Sequence, residues 1–380
     1  MPHADNQARR RASIADGCRD PIESRAPHRI GFGKWRVSRM ADVRGVMSDA
    51  ATTVDLVLSK RLALECQRQN QTDASLLTVF GAVLRAHRVP NDAERRAANA
   101  LTKRLAEQVP DLDVAGFLRD RITCRTTIEV TAGLVRPLLG RLRATAFGLD
   151  EALANATEAQ FAQTLYDIDE LGIDDLSRLQ SRAAEAFALL EQLDVQHSTC
   201  GDIPALHWLS PAFLALRPLT HLTVNMMCNL AETPDLQERL RAEPALRAPY
   251  LLEVERLYGS LRYVWRQSGA QPLELGDVTL PPGSLVLLDL VSANRDPAVW
   301  DEPDTLRLDR PRAVTASFAF GPLGCTGALA SRLFLARVLD ALLDGWRVSL
   351  PASAAEARCE LATWSVIRGY ERCPLVVEPI

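Results

Sequence analysis

The sequence lacks three features that would each place it in a special class of protein. It has no apolar run of about eighteen residues, so we expect no membrane-spanning helix. Its eight cysteines are scattered without Cys-x-x-Cys spacing, which argues against a disulfide framework in so long a chain. The net charge of −4 excludes an obvious nucleic-acid or lipid-headgroup surface. These absences favour a cytoplasmic protein that binds neither nucleic acid nor membrane.

The pattern of apolar residues predicts a mainly α protein with small β-sheets. From about residue 53 to 196, apolar residues recur at spacings of three and four, which is typical of helices. Residues 272–290 read as strands around a Pro-Pro-Gly turn, for which we expect a hairpin, and closing strands are predicted at 347–350 and 374–377. We expect a flexible tail over residues 1–30 and one domain over 31–380.

A glycine-rich segment with one cysteine, Cys325, stands directly before a run of helix-forming residues. A thiol at a helix start faces unpaired backbone N–H groups and the positive end of the helix dipole, and both favour the metal-binding thiolate. Gly321, Gly324 and Gly327 would let the backbone lie close to something flat and bulky. A single thiolate in such a loop can be the axial ligand of haem iron, although Cys325 could also be a buried structural cysteine.

Three further phrases precede this loop in the chain. Trp35 begins a strand that is followed by a short helix. Glu253 and Arg256 lie one helical turn apart and therefore on one face. The third phrase is Ala-Asn-Arg-Asp-Pro at residues 293–297, and Arg310 follows it. The order of the four phrases is itself informative, because together they span most of the chain.

In this order the phrases resemble the cytochrome P450 superfamily. Phe318, Gly321, Cys325 and Gly327 match its haem-binding loop, Phe-x-x-Gly-x-x-x-Cys-x-Gly, and Arg332 stands where the next helix usually carries an arginine. The resemblance implies a cytochrome P450-like fold, haem b bound through Cys325, and monooxygenase-type oxidoreductase activity in secondary metabolism. It also implies a small-molecule substrate and electrons delivered by a ferredoxin and its reductase.

The resemblance assigns roles to five more residues. Arg95 and Arg266 fall where arginines bind the haem propionates, while Arg95 could equally be a surface residue on a solvated helix face. Glu253, Arg256 and Arg310 are expected to be structural. The first two resemble a buried pair that helps to lock the core on the side of the haem loop.

The expected proton-delivering pair is missing from the apolar helix predicted at 207–231. Counting back from Glu253, Arg217 stands at the acid position and Pro218 at the alcohol position. Arginine cannot give up its proton and proline has none to give. Thr220 is a weak substitute, because it lies about 200° further round the helix. These three residues are the candidate catalytic positions.

Two predicted haem contacts are also missing. Leu323 stands two residues before the cysteine, where the family has histidine or arginine, and Asn91 replaces a histidine near Arg95. Each replacement loses a propionate contact. We therefore expect a haem that is held more weakly or in a shifted orientation.

The Arg-Pro pair resembles the hydrogen-peroxide-using fatty-acid peroxygenases of the superfamily. There the arginine binds the substrate carboxylate, which then serves as acid and base for peroxide. An arginine on an apolar helix is costly to bury unless it meets an anion, and a guanidinium–carboxylate pair is strong in a dry pocket. Arg217 could alternatively pair with an acidic residue of the protein or reach the surface.

The sequence leaves three functions open. The first is haem-thiolate oxidation of a small, carboxylate-bearing substrate, with hydrogen peroxide or with oxygen and partner electrons. The second is a haem-thiolate dehydratase or isomerase without oxygen activation, which the missing proton-delivering pair also suits. The third is a non-catalytic scaffold that recruits a partner or binds a ligand, which the missing propionate contacts favour.

Overall fold

The structure is a computed structural model. It describes residues 25–54, 93–153, 216–311, 314–321, 324–353, 359–361 and 366–380, together with a few positions between 155 and 192. Within these ranges helices dominate and the strands form small sheets, which confirms the predicted fold class. Asn91 and Leu323 lie outside the described residues.

The helices alternate with short turns. They are α1 (Met40–Ser48), α2 (Ala93–Gln108), α3 (Val114–Arg119), α4 (Arg136–Phe147), α5 (Leu216–Glu232), α6 (Pro234–Ala242), α7 (Arg247–Tyr258), α8 (Leu290–Ala293) and α9 (Ala328–Gly345). A π-helical turn, Thr131–Val135, leads into α4, and a 3-10 turn, Pro244–Leu246, leads into α7. Helix α4 ends at Gly148, whose φ of 65° is the left-handed conformation common after helix ends.

The strands are all short. They are β1 (His28–Gly31), β2 (Lys34–Val37), β3 (Thr53–Val54), β4 (Thr126–Glu129), β5 (Tyr263–Gln267), β6 (Leu273–Leu275), β7 (Val278–Leu280), β8 (Leu285–Asp289), β9 (Trp346–Ser349), β10 (Glu360–Leu361), β11 (Tyr370–Arg372) and β12 (Pro374–Pro379). The largest sheet has the order β1-β2-β8-β5-β3, and β2, which carries Trp35, runs parallel to β8. Strand β1 already lies within the last residues assigned to the tail.

The hairpin in the 272–290 segment forms at a different turn from the predicted one. Strands β6 and β7 pair with each other around Gly276, whose φ of 59° suits glycine. The Pro-Pro-Gly turn leads instead from β7 into β8, which pairs with β2 and β5. Because those two neighbours occupy both edges of β8, the strand cannot fold back on β7.

A second sheet joins β4, β12 and β9. The closing strands predicted near the end of the chain are β9 and β12, and they pair antiparallel. The sequence interpretation missed β4, which lies in the region read as helices. Its backbone hydrogen bonds go to β12, about 250 residues further along the chain, so no local pattern marks it.

Helix α5 runs through the core, as its apolar composition predicts. Nearly every residue from Leu216 to Ala231 is buried, and α5 packs against α4, α7 and β9. Helix α9 packs on α2, α3 and α7, which places its amino-terminal end beside α2. Within the described ranges no helix is both long and apolar enough to cross a membrane.

Candidate active site

The cysteine loop is closed by its own backbone directly before α9. The N–H of Cys325 donates to the carbonyl oxygen of Phe318 at 2.8 Å. Gly321 has a φ of 62°, and a Cβ there would lie 3.0 Å from the carbonyl oxygen of Met47. Glycine is therefore required at this position, both for its backbone conformation and for the close approach of α1.

Backbone N–H groups and arginines surround the thiol of Cys325. The protein around the thiol excludes water, and this desolvation raises the pKa of Cys325 above its usual value. The N–H groups of Gly327 and Ala328 and the charges of Arg95 and Arg332 act in the opposite direction. The side chain is nevertheless exposed, so it lies on the wall of a recess. A metal that displaces the thiol proton would find two N–H donors already directed at the sulfur.

Two arginines meet beside this loop without an acidic partner. Arg95 of α2 donates from Nη2 to the carbonyl oxygen of Gly324. Arg266 of β5 is 7% exposed, donates to the carbonyl oxygen of Trp265, and has a buried Nε without a hydrogen-bond partner. Burial and the charge of Arg95 lower the pKa of Arg266 to about 10. Neither arginine forms an ion pair with a carboxylate in the described part of the chain, so the pair calls for an anionic ligand.

A haem fits this set of groups. Cys325 offers the axial sulfur, and Arg95 and Arg266 offer buried positive charge for the two propionates. The unbonded Nε of Arg266 is the observation that favours the fit, because a buried guanidinium otherwise has its donors satisfied.

Replacing Arg266 by glutamine is expected to weaken haem binding by roughly 10-fold or more, since a charge-assisted hydrogen bond is lost. The same change should stabilise the haem-free protein, because it removes a buried, uncompensated charge. Haem transfer to an acceptor protein and urea unfolding of the haem-free form measure the two effects. The exposed Arg347 of β9, changed to glutamine, serves as the control. Unchanged haem affinity in the Arg266 variant would contradict the assignment.

Glu253, Arg256 and Arg310 form one ion-pair cluster behind the loop. Arg256 donates to both carboxylate oxygens of Glu253, at 2.6 and 2.7 Å, and Nε of Arg310 lies 3.2 Å from the same carboxylate. Arg256 also donates to the carbonyl oxygens of Asn294 and Thr305. Burial raises the pKa of Glu253 and the hydrogen bonds lower it, with a net lowering. The cluster joins α7 to the segment that precedes the cysteine loop.

The Asn-Arg-Asp phrase links the cysteine loop to α1, a role that the sequence did not reveal. The side chain of Asn294 donates to Oγ of Ser317 and accepts from the N–H of Ala316 at 2.6 Å. Oδ2 of Asp296 accepts from the N–H of Met40 at 2.7 Å and so satisfies the first turn of α1. The phrase thus fixes the loop by contacts that are distant in sequence.

A second buried carboxylate near the loop was also missed. Glu255 is 1% exposed and accepts from Nε and Nη2 of Arg332 at 2.8 and 3.0 Å. The guanidinium of Arg332 in turn lies over the ring of Phe318, 5.0 Å from its centroid. Glu255 adjoins the Glu-x-x-Arg pair, but its own partner lies 77 residues away, so spacing could not identify it.

Arg217 belongs to a different cluster, and the expectation that it is a lone cation is wrong. Its Nη2 lies 2.5 Å from Oε1 of Glu371, and Nη2 of Arg136 lies 3.1 Å from the same oxygen. Pairing with an acidic residue, the alternative left open by the sequence, is what the structure shows. The two arginines outnumber this carboxylate, and Nε of Arg217 is buried without a hydrogen-bond partner. The cluster therefore keeps an excess of positive charge.

The next turn of α5 contains no free hydroxyl at the predicted position. Oγ1 of Thr220 donates to the carbonyl oxygen of Leu216 at 2.9 Å, so its hydrogen is used within the helix. Pro218 lies in the first described turn of α5. His221 is fully buried with Nε2 3.6 Å from Glu371, and desolvation lowers its pKa to about 4. This histidine is consequently neutral at physiological pH.

The sequence matches no protein-family profile, but it is similar to known proteins. It is 30% identical over 188 residues to "Cytochrome P450 family protein EryCII" of Saccharopolyspora erythraea, which covers 49% of this chain and 50% of that protein. It is 23% identical over 378 residues to "Cytochrome P450 107B1" of the same organism, which covers 91% and 89%. The first of these matches thus spans half of the relative's length.

Among solved structures, the chain is similar to the one described as "Crystal Structure of CalO2". The TM-score is 0.76 at 22% identity, over 95% of this chain and 93% of that one. At this identity the likeness concerns the fold. It places the cysteine loop, the Glu-x-x-Arg pair and the small sheets of this chain within one known architecture.

Proposed function

This chain belongs to the cytochrome P450 superfamily, and from that premise we propose that it is a haem-thiolate oxidoreductase acting on a small organic molecule. Its cofactor is a cysteine-ligated haem, and we assign the cysteine to Cys325. The observation that carries the proposal is the recess where this thiol, with N–H groups directed at its sulfur, faces the unpaired Arg95 and Arg266.

A thiolate-ligated haem supplies the chemistry that cleaves an O–O bond and oxidises a nearby C–H bond. The protein's own residues perform the supporting tasks. The N–H groups of Gly327 and Ala328 hold the negative charge on the sulfur of Cys325. Arg95 and Arg266 offset the charge of the propionates and fix the orientation of the ring.

We also propose that the substrate carries a carboxylate that binds Arg217. Arg136 and Arg217 share the single carboxylate of Glu371, which leaves one positive charge uncompensated. The buried Nε of Arg217 offers a donor for a second carboxylate. Glu371 then acts as the competitor that an incoming acid must share or displace.

The oxidant that suits this helix is hydrogen peroxide. Arg217 and Pro218 cannot deliver protons, and the hydroxyl of Thr220 is bonded to its own helix. A carboxylate held by Arg217 would supply the missing acid and base, as it does in the peroxygenases that the Arg-Pro pair resembles. Oxygen with electrons from a ferredoxin and its reductase is the second route.

The experiment compares carboxylic acids with their methyl esters on the haem-loaded protein. Binding is followed by the shift of the Soret band, and turnover by product formation with hydrogen peroxide alone or with a ferredoxin and reductase. Arg217→Gln should weaken the binding of acids by roughly 10- to 100-fold and leave esters unchanged. Glu371→Gln should strengthen the binding of acids, because the competing carboxylate is gone. Arg347→Gln is the matched control on an exposed arginine.

Each part of the proposal can fail separately. Equal losses for acids and esters in the Arg217 variant would make this residue structural and remove the carboxylate from the substrate class. Turnover that requires the ferredoxin would replace peroxide with oxygen. No product under either condition would contradict oxidation and favour a dehydratase, an isomerase or a partner-recruiting scaffold.

A further inference from the structure

Three buried cysteines meet where α5 packs against the end of the chain. Sγ of Cys228, in α5, lies 2.9 Å from Sγ of Cys373, which stands between β11 and β12. Sγ of Cys359, directly before β10, lies 3.7 Å from Sγ of Cys373. The exposed fractions are 3%, 0% and 6% for Cys228, Cys373 and Cys359. The separations in sequence, 145 and 14 residues, explain why the cysteines look scattered.

The contact between Cys228 and Cys373 is close for two thiols. It exceeds the length of a disulfide bond by only about 0.9 Å. Cys373 is also held in place, since its backbone N–H donates to Oε1 of Glu129 at 2.7 Å. Neither sulfur therefore has to travel far for a covalent bond to form between α5 and the strand that follows Cys373.

We propose that these cysteines are a thiol–disulfide site in which Cys373 is the shared partner. Oxidation joins Cys373 to Cys228, and Cys359 takes the place of Cys228 when that thiol is absent. The site is separate from Cys325 and from the Arg217 cluster, and it does not depend on the proposed enzymatic activity.

Hydrogen peroxide supplies a balanced route to the bond. One thiolate attacks a peroxide oxygen, the O–O bond breaks, and a sulfenic acid and one water are formed. The neighbouring thiolate then attacks that sulfur, the S–O bond breaks, and the disulfide and a second water result. Two thiols lose two electrons and two protons, and one peroxide molecule is reduced to two water molecules.

The surroundings make this reaction slow. The bond to Cys228 is the first cause that raises the pKa of Cys373 far above its usual range, and burial adds to it. The bond to Cys373 does the same for Cys359. Few thiolates exist at neutral pH, so the reaction is expected to be much slower than oxidation of an exposed thiol such as Cys124.

The test uses the haem-loaded protein treated with hydrogen peroxide. Remaining thiols are alkylated in denaturant, and the protein is digested without reductant for mass spectrometry. We expect a peptide pair joined through Cys228 and Cys373 that disappears on reduction. Cys228→Ser should move the link to Cys359, Cys359→Ser should keep it, and Cys373→Ser should abolish both. Cys124, exposed and distant, is the control that stays unlinked.

A second measurement covers variants that fold poorly. In the unaltered chain the disulfide would close a loop of 145 residues, which should raise the unfolding temperature by roughly 5 °C or more until a reductant is added. Alkylation of all three cysteines after peroxide treatment would overturn the proposal. So would oxidation of single cysteines to sulfinic acid without a link.

Discussion

Replacing Cys325 by alanine is expected to abolish the strongly red-shifted Soret band of the reduced, carbon-monoxide-bound haem protein. The band depends on a thiolate opposite carbon monoxide, and the loop places this one sulfur at the start of α9 with two N–H donors. Alanine leaves the loop backbone intact, because the bond from residue 325 to Phe318 uses main-chain atoms. The loss should therefore be complete for the spectrum while the fold persists, as far-ultraviolet circular dichroism would verify.

The matched control is Cys124→Ala, which removes an exposed thiol outside the cysteine loop and should leave the spectrum unchanged. An unaltered red-shifted band in the Cys325 variant would rule out this residue as the ligand. A protein that binds haem without any red-shifted band, even before mutation, would favour the scaffold function over the oxidoreductase.

Replacing Arg256 by alanine is expected to lower the free energy of unfolding by about 3–5 kcal/mol, the usual cost of breaking a buried ion pair. The Arg256 side chain is fully buried, and its loss leaves the carboxylate of Glu253 with Arg310, at 3.2 Å, as its remaining ionic partner. The carbonyl oxygens of Asn294 and Thr305 lose a donor at the same time. Urea unfolding at fixed haem occupancy measures the change.

Arg307→Ala is the control for this experiment. Arg307 also forms ion pairs, with Asp301 and Asp309, but these lie at the surface, where water competes for the charges. Its replacement should have a far smaller effect than that of Arg256. Equally small changes in both variants would mean that the buried cluster adds little to stability.

The sequence predicts best those parts of the site whose residues are close together in the chain. Glu253 and Arg256 share a helix face because they lie one turn apart, and the structure shows them hydrogen-bonded. The glycines around Cys325 likewise specify a tight loop before a helix. In both cases local geometry decides the contact, so a short stretch of sequence contains the information.

Contacts between distant segments could not be predicted in the same way. Glu371 lies 154 residues from Arg217, and nothing in either segment indicates that β11 delivers a carboxylate to α5. The three cysteines that surround Cys373 are a similar case. Strand β4 was missed because its hydrogen bonds are completed by β12, and a lone strand has no local stabilisation of its own.

The contacts of the first strand and helix have a consequence for synthesis on the ribosome. Strand β2 pairs with β8, and the backbone of α1 at Met40 is bonded to Asp296, 256 residues later. At about 5–20 residues per second, roughly 13–50 s pass before these partners have been made. During that interval the apolar edge of β2 stays open to other chains. Nascent chains that end before residue 285 should therefore need a chaperone far more than the finished protein does.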